Sequence, residues 1–259
     1  MNKYSDNVHT TSNKFHFENG RRFHNVEDST YFLPNDDEEC DRLHFQHFLE
    51  RYVWQNNFSA PVKDLLNQKG AMVLDVGTGA GSWLFEMATN FPKAHYIGID
   101  ISPVQPGYIK PKNVRFIEAN VLETLPFDNN KFDYIFQRIL YVGIPGNKWS
   151  SVINELVRVL KPDGYLELQG LLENNEQLHK VHYEIKTKCD SENCDKLCKL
   201  SAENYITALA TMKPKLMTTI DVSSNEYDDL VKTMEKELIE LESFTPRVRV
   251  YAQKKFISG

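Results

Sequence analysis

The strongest constraint on the fold is a short apolar run followed by a glycine-rich turn. Residues 71–76 form the run, Asp75 lies next to its end, and the turn 77–81 reads Gly-Thr-Gly-Ala-Gly. Residues 82–91 then show helical spacing, which Pro92 ends. Glycines allow the backbone to approach a ligand at positive φ, and a helix N-terminus offers free N–H groups. The segment therefore predicts a strand, a ligand-binding turn and a helix.

The spacing of the glycines separates two kinds of ligand. A dinucleotide-binding turn reads Gly-x-Gly-x-x-Gly, but here Gly77, Gly79 and Gly81 alternate and Ser82 stands at the third glycine position of that pattern. Asp75 precedes the first glycine by two residues, where an acid suits a cationic amino-acid ligand and would repel a pyrophosphate. The turn therefore favours a cationic ligand over a dinucleotide.

Strand and helix signals continue to alternate after the turn. Apolar runs occupy residues 95–100, 114–118, 132–136 and 165–169, and residues 148–160 have one apolar helical face. Such alternation predicts a mostly parallel sheet with crossover helices, in which ligand-binding residues collect at the carboxyl ends of the strands.

Polar side chains occur at these predicted strand ends. Asp100 ends the second strand about 20 residues past the glycine turn, where an acid can accept hydrogen bonds from both ribose hydroxyls of a nucleoside. Asn120 follows the third strand and can accept from an adenine amino group, while Val121 can press on the ring. Gln137 follows the fourth strand. We expect these residues to meet Asp75 at one edge of the sheet.

The N-terminal region divides into two parts. Residues 1–30 are rich in Asn, Ser, His and charge and are predicted to be a disordered leader. Residues 35–54 predict a helix, with Asn35 as N-cap and Glu38 in the capping-box position. Tyr31 lies just before this helix, and its ring could face a cationic group or an acceptor.

The remaining residues, 31–259, are predicted to form a single domain. Its parts are a helical lid over residues 31–56, a ligand-binding core over 71–170, and a helical cover with a last strand over 171–259. In the cover, the patterns predict helices at 202–212 and 225–241 and a strand at 247–253 that joins the sheet edge antiparallel, and residues 185–200 show no clear strand.

Composition excludes several classes of protein. The chain has 259 residues, 41% of them hydrophobic, and a formal net charge of −6, which argues against nucleic acid as the main partner. It lacks a run of about 18 apolar residues that a membrane span requires, and its N-terminus lacks the apolar region of a secretory signal. Its four cysteines suit a reducing compartment. We therefore expect a protein of the cytoplasm or nucleus, without a membrane partner.

Taken together, these motifs resemble a known family. The set VLDVGTGAG, IGID, ANV, FDYIFQ and LKPDGYLEL resembles class I S-adenosylmethionine-dependent methyltransferases. The stretches IDISPVQPGYIKPKNVRF and YFLPNDDEECDRLHFQH are similar to fungal methyltransferases related to regulators of secondary metabolism. The resemblance implies an α/β, Rossmann-like, mostly parallel sheet of six or seven strands flanked by helices, with S-adenosyl-L-methionine as cofactor.

The resemblance also implies roles for individual residues. The glycine turn, with Thr78, would line the methionine moiety, and Asp75 would meet its ammonium. Asp100 would hold the ribose. The other implied contacts are Ile101 on the adenine, Asn120 and Val121 at the adenine edge, Gln137 at the methionine end, and the separately predicted Tyr31. Relatives usually carry Asp at the Asn120 position, and the carbonyl oxygen of Asn can still accept a hydrogen bond.

The implied reaction is in-line displacement of a methyl group onto an oxygen or nitrogen acceptor, predicted to be a small molecule. A protein methyltransferase and a cofactor-binding regulatory module that acts through protein partners remain alternatives. No catalytic residue is assigned, and His44 and His47 are the candidate bases. Gln137-Arg138 replaces the Asn/Asp-Pro-Pro-aromatic tetrad of amino-group DNA methyltransferases, which argues against that substrate.

A metal site is not predicted. The fourth strand ends without the aspartate cluster of metal-dependent catechol-type enzymes. Cys189, Cys194 and Cys198 follow His179 and His182 but lack a paired Cys-x-x-Cys spacing. Their interpretation as reduced thiols is therefore favoured over zinc.

Overall fold

The computed structural model describes residues 14–26, 29, 31–106, 109–170, 172, 175–187, 194–241, 243 and 245–256. It begins with a two-stranded antiparallel hairpin, β1 (Phe15–Glu18) and β2 (Arg21–His24). Arg21 donates to Asp36 with Nε–Oδ2 and Nη2–Oδ1 distances of 2.6 and 2.9 Å. The disordered leader predicted for residues 1–30 is therefore wrong for this hairpin, and residues 1–13 lie outside the described residues.

A seven-stranded sheet forms the centre of the domain. Its strands are β3 (Met72–Val76), β4 (His95–Asp100), β5 (Val114–Glu118), β6 (Phe132–Arg138), β7 (Leu160–Gln169), β8 (Leu178–Lys186) and β9 (Arg247–Lys254). Their order is β5-β4-β3-β6-β7-β9-β8, and the pairings from β5 to β7 are parallel. The predicted mostly parallel sheet is confirmed.

Helices cover the sheet. They are α1 (Asp37–Trp54), α2 (Lys63–Leu66), α3 (Ser82–Asn90), α4 (Trp149–Val159), α5 (Cys194–Ile220) and α6 (Ser224–Glu240). Adjacent residues of β3 show why both faces need covering: Val73 joins one buried cluster with Trp83 of α3, while Leu74 joins another with Ile153 of α4. Side chains alternate across a strand, so a central strand with apolar residues on both faces must be covered on both sides.

One predicted detail differs at the start of α1. The N-cap of α1 is Asp36, whose side chain accepts from Glu39 N, and not Asn35. Asn35 is buried and donates from Nδ2 to Ser102 Oγ at 2.6 Å, joining the entry to α1 to the end of β4. At α6, Ser223 and Glu226 form a complete capping box, which fixes the start of that helix.

The C-terminal region contains more strand than predicted. β8 was not expected, and β9 lies between β7 and β8, antiparallel to both, instead of at the sheet edge. Strand β8 pairs only with β9, so the two segments must come together from far apart in the chain. None of the helices in the described part of the chain is both long enough and apolar enough to cross a membrane.

Candidate functional site

A cleft opens where the carboxyl ends of the central strands meet the glycine turn and α1. It encloses about 1060 Å³ of empty space, counted out to its open mouth. Most of the residues predicted for the site line it: Tyr31, Asp75, Gly77, Thr78, Gly79, Asp100, Ile101, Asn120 and Val121. The structure therefore brings together side chains from four separate segments of the sequence.

Two predicted residues lie behind the wall instead. Gly81 is the N-cap of α3 with φ +86°, and a Cβ there would lie 3.0 Å from Phe116 Cζ. Its glycine serves the packing of α3 on β5. Gln137 is only 1% exposed, and its side-chain amide contacts no hydrogen-bond partner among the described residues.

The glycine turn requires glycine at two positions in the wall. Gly77 has φ +69°, and a Cβ there would lie 2.7 Å from Leu140 Cδ1. Gly79 has φ +52°, and its Cβ would lie 3.3 Å from Leu43 Cδ1. A side chain at either position would combine an unfavourable left-handed conformation with loss of the space in front of the turn.

Asp75 is a buried carboxyl at the base of the cleft. Thr78 Oγ1 donates to Asp75 Oδ2 at 2.7 Å, but desolvation outweighs this bond and raises the pKa of Asp75 to about 7. Burial penalises the charged form of a carboxyl, and a nearby cation favours it. The base of the cleft is therefore prepared to accept a cationic group.

Asp100 joins the end of β4 to the glycine turn. Its Oδ2 accepts from Gly79 N at 2.8 Å and its Oδ1 from Ser102 N at 2.9 Å, while burial raises its pKa. Each carboxylate oxygen has two lone pairs. Asp100 can therefore accept further hydrogen bonds from a ligand while it holds the turn.

Asn120 also has a local role. Its Oδ1 accepts from Leu122 N at 3.0 Å, and its Nδ2 donates to Glu123 Oε1 at 3.2 Å. This closes a turn of the kind that Asn side chains favour after a strand. One lone pair of the carbonyl oxygen remains for a ligand on the cleft side.

Helix α1 and the segment before it supply the opposite wall. Leu43, Gln46 and Tyr31 line the cleft. The ring of Tyr31 stacks on His24 of β2, and burial, with Asp100 nearby, raises the pKa of its phenol. His44 Nδ1 lies 2.6 Å from Ser82 Oγ at the start of α3. The wall is thus held by contacts with both the hairpin and α3.

The two candidate bases do not line the cleft. Both ring nitrogens of His47 are engaged: Arg138 Nη2 lies 3.2 Å from Nδ1, and Glu86 Oε2 lies 2.8 Å from Nε2. Because arginine can only donate, Nδ1 accepts and Nε2 donates to the carboxylate. Burial and the adjacent Arg138 lower the pKa of His47 to about 4. This neutral histidine orients Arg138.

The sequence analysis did not assign several residues that line the cleft, namely Leu43, Gln46, Ser82, Arg138, Ile139, Leu140 and Gly143. Arg138 and Ile139 follow directly on the predicted position Gln137. Ile139 has φ +52°, which is unfavourable for a β-branched residue and is found where surrounding structure enforces it. The chain turns sharply there and directs Leu140 over the glycine turn.

Within the described residues, no group of three or more His, Cys, Asp or Glu side chains could hold a metal ion. Cys189 lies outside the described residues, whereas Cys194 and Cys198 lie in the first turns of α5.

Comparison with known proteins accounts for this arrangement. Residues 73–164, from β3 into β7, match the family described as a methyltransferase domain. This region of the chain is therefore similar to a methyltransferase domain. Methyltransferases of this family use S-adenosylmethionine as methyl donor.

Two curated relatives are similar over a wider region than residues 73–164. Methyltransferase pytC of Aspergillus terreus is 36% identical over 158 residues, which are 60% of this chain and 46% of that protein. Protein-methionine methyltransferase laeA of Emericella nidulans is 29% identical over 195 residues, which are 74% of this chain and 46% of that protein. The chain therefore spans about half the length of the curated relatives that it matches.

Among solved structures, this chain is similar to a chain of the complex that the Trm112 methyltransferase activator of Haloferax volcanii forms with a methyltransferase. The TM-score is 0.50 at 15% identity, over 85% of this chain and 95% of that one. At that identity the likeness shows the fold alone.

Proposed function

We propose that this chain is an S-adenosylmethionine-dependent methyltransferase that transfers a methyl group to an oxygen or nitrogen atom of a small molecule. The observation that carries the proposal is the convergence of Asp75, Asp100 and the glycine turn on one cleft within a methyltransferase domain. A buried carboxyl suits the ammonium of a methionine moiety, and a second carboxyl one strand away suits a ribose.

The wall of the cleft offers a contact for each part of the cofactor. Gly77, Thr78 and Gly79 would border the methionine moiety, and Asp75 would pair with its ammonium. Asp100 would accept from the ribose hydroxyls. Ile101 and Val121 would hold the adenine between them, with Asn120 at its edge. Gly81 and Gln137 would support this site from behind.

The residues of the chain would contribute position and a dry environment. Bound S-adenosylmethionine supplies an electrophilic methyl group on a sulfonium, which reacts by in-line displacement. Tyr31 would place an aromatic face toward that cation, a contact worth about 0.5–2 kcal/mol. Leu43 and Leu140 would exclude water from the reacting groups, and fixed positioning can itself provide much of the rate acceleration.

The N-terminal segment 31–56 would act as the closing wall of the site. Its cleft-facing side chains, Leu43 and Gln46, come from the same helix that is tied to α3 by His44 and His47. We infer that the domain consists of this wall, the core 71–170 and the C-terminal cover, and that substrate selection depends on the wall and the cover.

A small-molecule acceptor is favoured by the shape of the cleft, which is concave and has apolar side chains beside the polar cofactor residues. A protein acceptor is the second candidate, because one relative is named as a protein-methionine methyltransferase. A regulatory module that binds the cofactor and acts through a protein partner is the third.

The direct test is turnover. Purified protein with S-adenosylmethionine and a metabolite extract is expected to release S-adenosylhomocysteine, and mass spectrometry would identify the methylated product. Release only with a protein fraction would favour the second candidate. Tight cofactor binding without turnover on either fraction would favour the regulatory module, and absence of cofactor binding by calorimetry would contradict the proposal as a whole.

A further inference from the structure

The cleft contains a cation that the cofactor contacts above do not use. This cation is Arg138. No other Lys, Arg or His occurs among the described residues that line the cleft. Arg138 faces a wall that also carries two carboxyls, Asp75 and Asp100, so charges of both signs lie inside one cleft.

The position of Arg138 follows from the pairing of two strands. Asp75 pairs with Phe136 and Val76 with Gln137 in the parallel register of β3 and β6. Arg138 is the last residue of β6, one position past this register, and it lies at the strand end where the chain after β3 enters the glycine turn. Burial lowers the pKa of Arg138, and the nearby carboxylates of Glu50 and Asp75 oppose this effect. The charge of Arg138 in turn favours the ionised form of Asp75. The cation thus lies next to the acid and the first glycine of the turn.

Neighbouring groups orient the guanidinium. Arg138 Nη2 donates to His47 Nδ1, and His47 Nε2 donates to Glu86, which also accepts from Arg51 Nε at 3.0 Å. A guanidinium has five N–H donors. Among the described residues, the guanidinium of Arg138 makes one hydrogen bond, to His47. The side chain is therefore held at one corner and keeps donors for a ligand.

We propose that Arg138 binds the carboxylate of the methionine moiety of the cofactor, while Asp75 on the adjacent strand binds its ammonium. An amino acid carries both groups on one carbon, so a site for the zwitterion needs an acid and a base side by side. A guanidinium is suited to a carboxylate because it can donate two parallel hydrogen bonds. The inference rests on the proposed function, since it names a further contact to the same cofactor. His47 is a positioning residue, acting through Arg138.

A carboxylate on the methyl acceptor has the same chemistry, so the experiment must separate the two sources. Titration calorimetry would compare S-adenosylmethionine with its decarboxylated analogue, which retains the ammonium, the sulfonium and the nucleoside. The wild-type protein is expected to bind the analogue about 10- to 100-fold more weakly, the range for losing a hydrogen-bonded charge contact.

Substitution of Arg138 should remove that preference. In Arg138→Met, affinity for S-adenosylmethionine should fall by a larger factor than affinity for the analogue, so that the two ligands bind equally well. Arg138→Lys should retain part of the preference. Arg115→Met, which removes an exposed positive charge from β5, is the matched control and should behave as wild type.

The role of His47 is tested by the same ratio. Gln can accept from Arg138 and donate to Glu86, so His47→Gln should keep most of the preference, whereas His47→Leu should reduce it. A merely structural role would lower the affinity for both ligands equally. If Arg138→Met does not fold, the Arg138→Lys and His47 variants decide the question.

Three results would overturn the inference. Equal weakening of both ligands by Arg138→Met would make the residue structural. Unchanged affinity of Arg138→Met for both ligands would assign the cofactor carboxylate to another group and leave Arg138 for an acceptor. Equal affinity of both ligands for the wild type would show that the carboxylate is not bound. Failure of the wild type to bind either ligand would instead contradict the proposed function, and this inference would fall with it.

Discussion

The guanidinium of Arg249 in β9 lies over the indole ring of Trp54 at the end of α1, 4.4 Å from the ring centroid. One turn earlier, Glu50 accepts from Arg247 Nε at 2.8 Å and from Gln169 Nε2 at 2.6 Å. These contacts anchor the C-terminal half of α1 to β7 and β9. The wall of the cleft is therefore built on the sheet, and its cleft-facing side chains belong to a fixed helix.

The first prediction concerns this wall. Leu43→Ala should weaken S-adenosylmethionine binding several-fold, because Leu43 lines the cleft and its loss admits water. Phe48→Ala is the control, since Phe48 is 64% exposed on the outer face of the same helix, and it should leave affinity unchanged. Calorimetry would compare the two variants.

Deletion of residues 1–55 tests the whole wall. Turnover and cofactor affinity should be lost together, and the melting temperature should fall because Arg249 and Arg247 lose their partners. A truncated protein that binds the cofactor normally and shows only lower thermal stability would mean that the segment supports the sheet and does not close the site.

The second prediction concerns Gly79. Gly79→Val should abolish cofactor binding while leaving the domain folded, since the new side chain would occupy the cleft close to Leu43 at φ +52°. Gly146→Ala is a suitable control, because nothing lies within 4 Å of a Cβ there. Unchanged affinity of the Gly79 variant in a calorimetric titration would exclude close approach of the ligand to this turn.

The third prediction concerns Asp100. Asp100→Ala should weaken S-adenosylmethionine at least tenfold, because hydrogen bonds to a charged group are worth about 1.5–3 kcal/mol each. It should also lower the melting temperature, since Gly79 N and Ser102 N lose their acceptor. Asp100→Asn keeps an acceptor oxygen, so its affinity for S-adenosylmethionine should lie between those of the wild type and the alanine variant. An effect below tenfold for the alanine variant would place the ribose elsewhere.

The fourth prediction is a pH dependence of binding. Burial raises the pKa of Asp75 to about 7, and pairing with an ammonium should lower that pKa. Affinity should therefore rise as the pH increases from 5 to about 7 and then level off. Calorimetry in buffers of different ionisation enthalpy should detect proton release on binding near pH 6. Asp75→Asn should bind weakly and without this pH dependence, and a wild-type affinity that is flat over the same range would contradict the assignment.

The same group should affect stability in the opposite sense. The pKa of Asp75 in the folded state lies above the ordinary value of 3.8, so its contribution to stability is present below about pH 4 and is lost as the pH rises through 7. Asp75→Asn should therefore raise the melting temperature of the cofactor-free protein at pH 8, and its effect at pH 4 should be smaller. An equal change at both pH values would show that the carboxyl is not destabilised by burial.

The sequence was sufficient to predict the centre of the sheet and the acids at its edge. An apolar run that ends in a polar residue, such as the one that ends in Asp100, is a local pattern that predicts a buried parallel strand with a ligand-binding residue at its end. The sequence did not predict which residue at the end of β6 would face the cleft. Gln137 and Arg138 are adjacent and point to opposite faces, and only the packing of α1 determines that the cleft contains Arg138.

The hairpin and β8 escaped prediction for a related reason. The strand residue Phe17 is 74% exposed, and β1–β2 is held by ion pairs such as Arg21–Asp36. In β8, Val181, Tyr183 and Ile185 alternate with polar residues at the period of a strand, although all three are exposed, and the prediction missed this pattern. The hairpin strands have four residues each, and strands that short carry little signal of their own, whereas β8 depends on pairing with the distant β9.

The position of β9 between β7 and β8 has a consequence for biosynthesis. While the ribosome is still making α6, the β7 edge of the nascent sheet is unpaired and β8 has no neighbour to join. An open β edge of this kind can pair with other chains. Once residues 247–254 have left the ribosome, they would form β9 between β7 and β8. The same residues include Arg247 and Arg249, which anchor α1. Completion of the sheet and fixation of the cleft wall would thus be one late event in the folding of the chain.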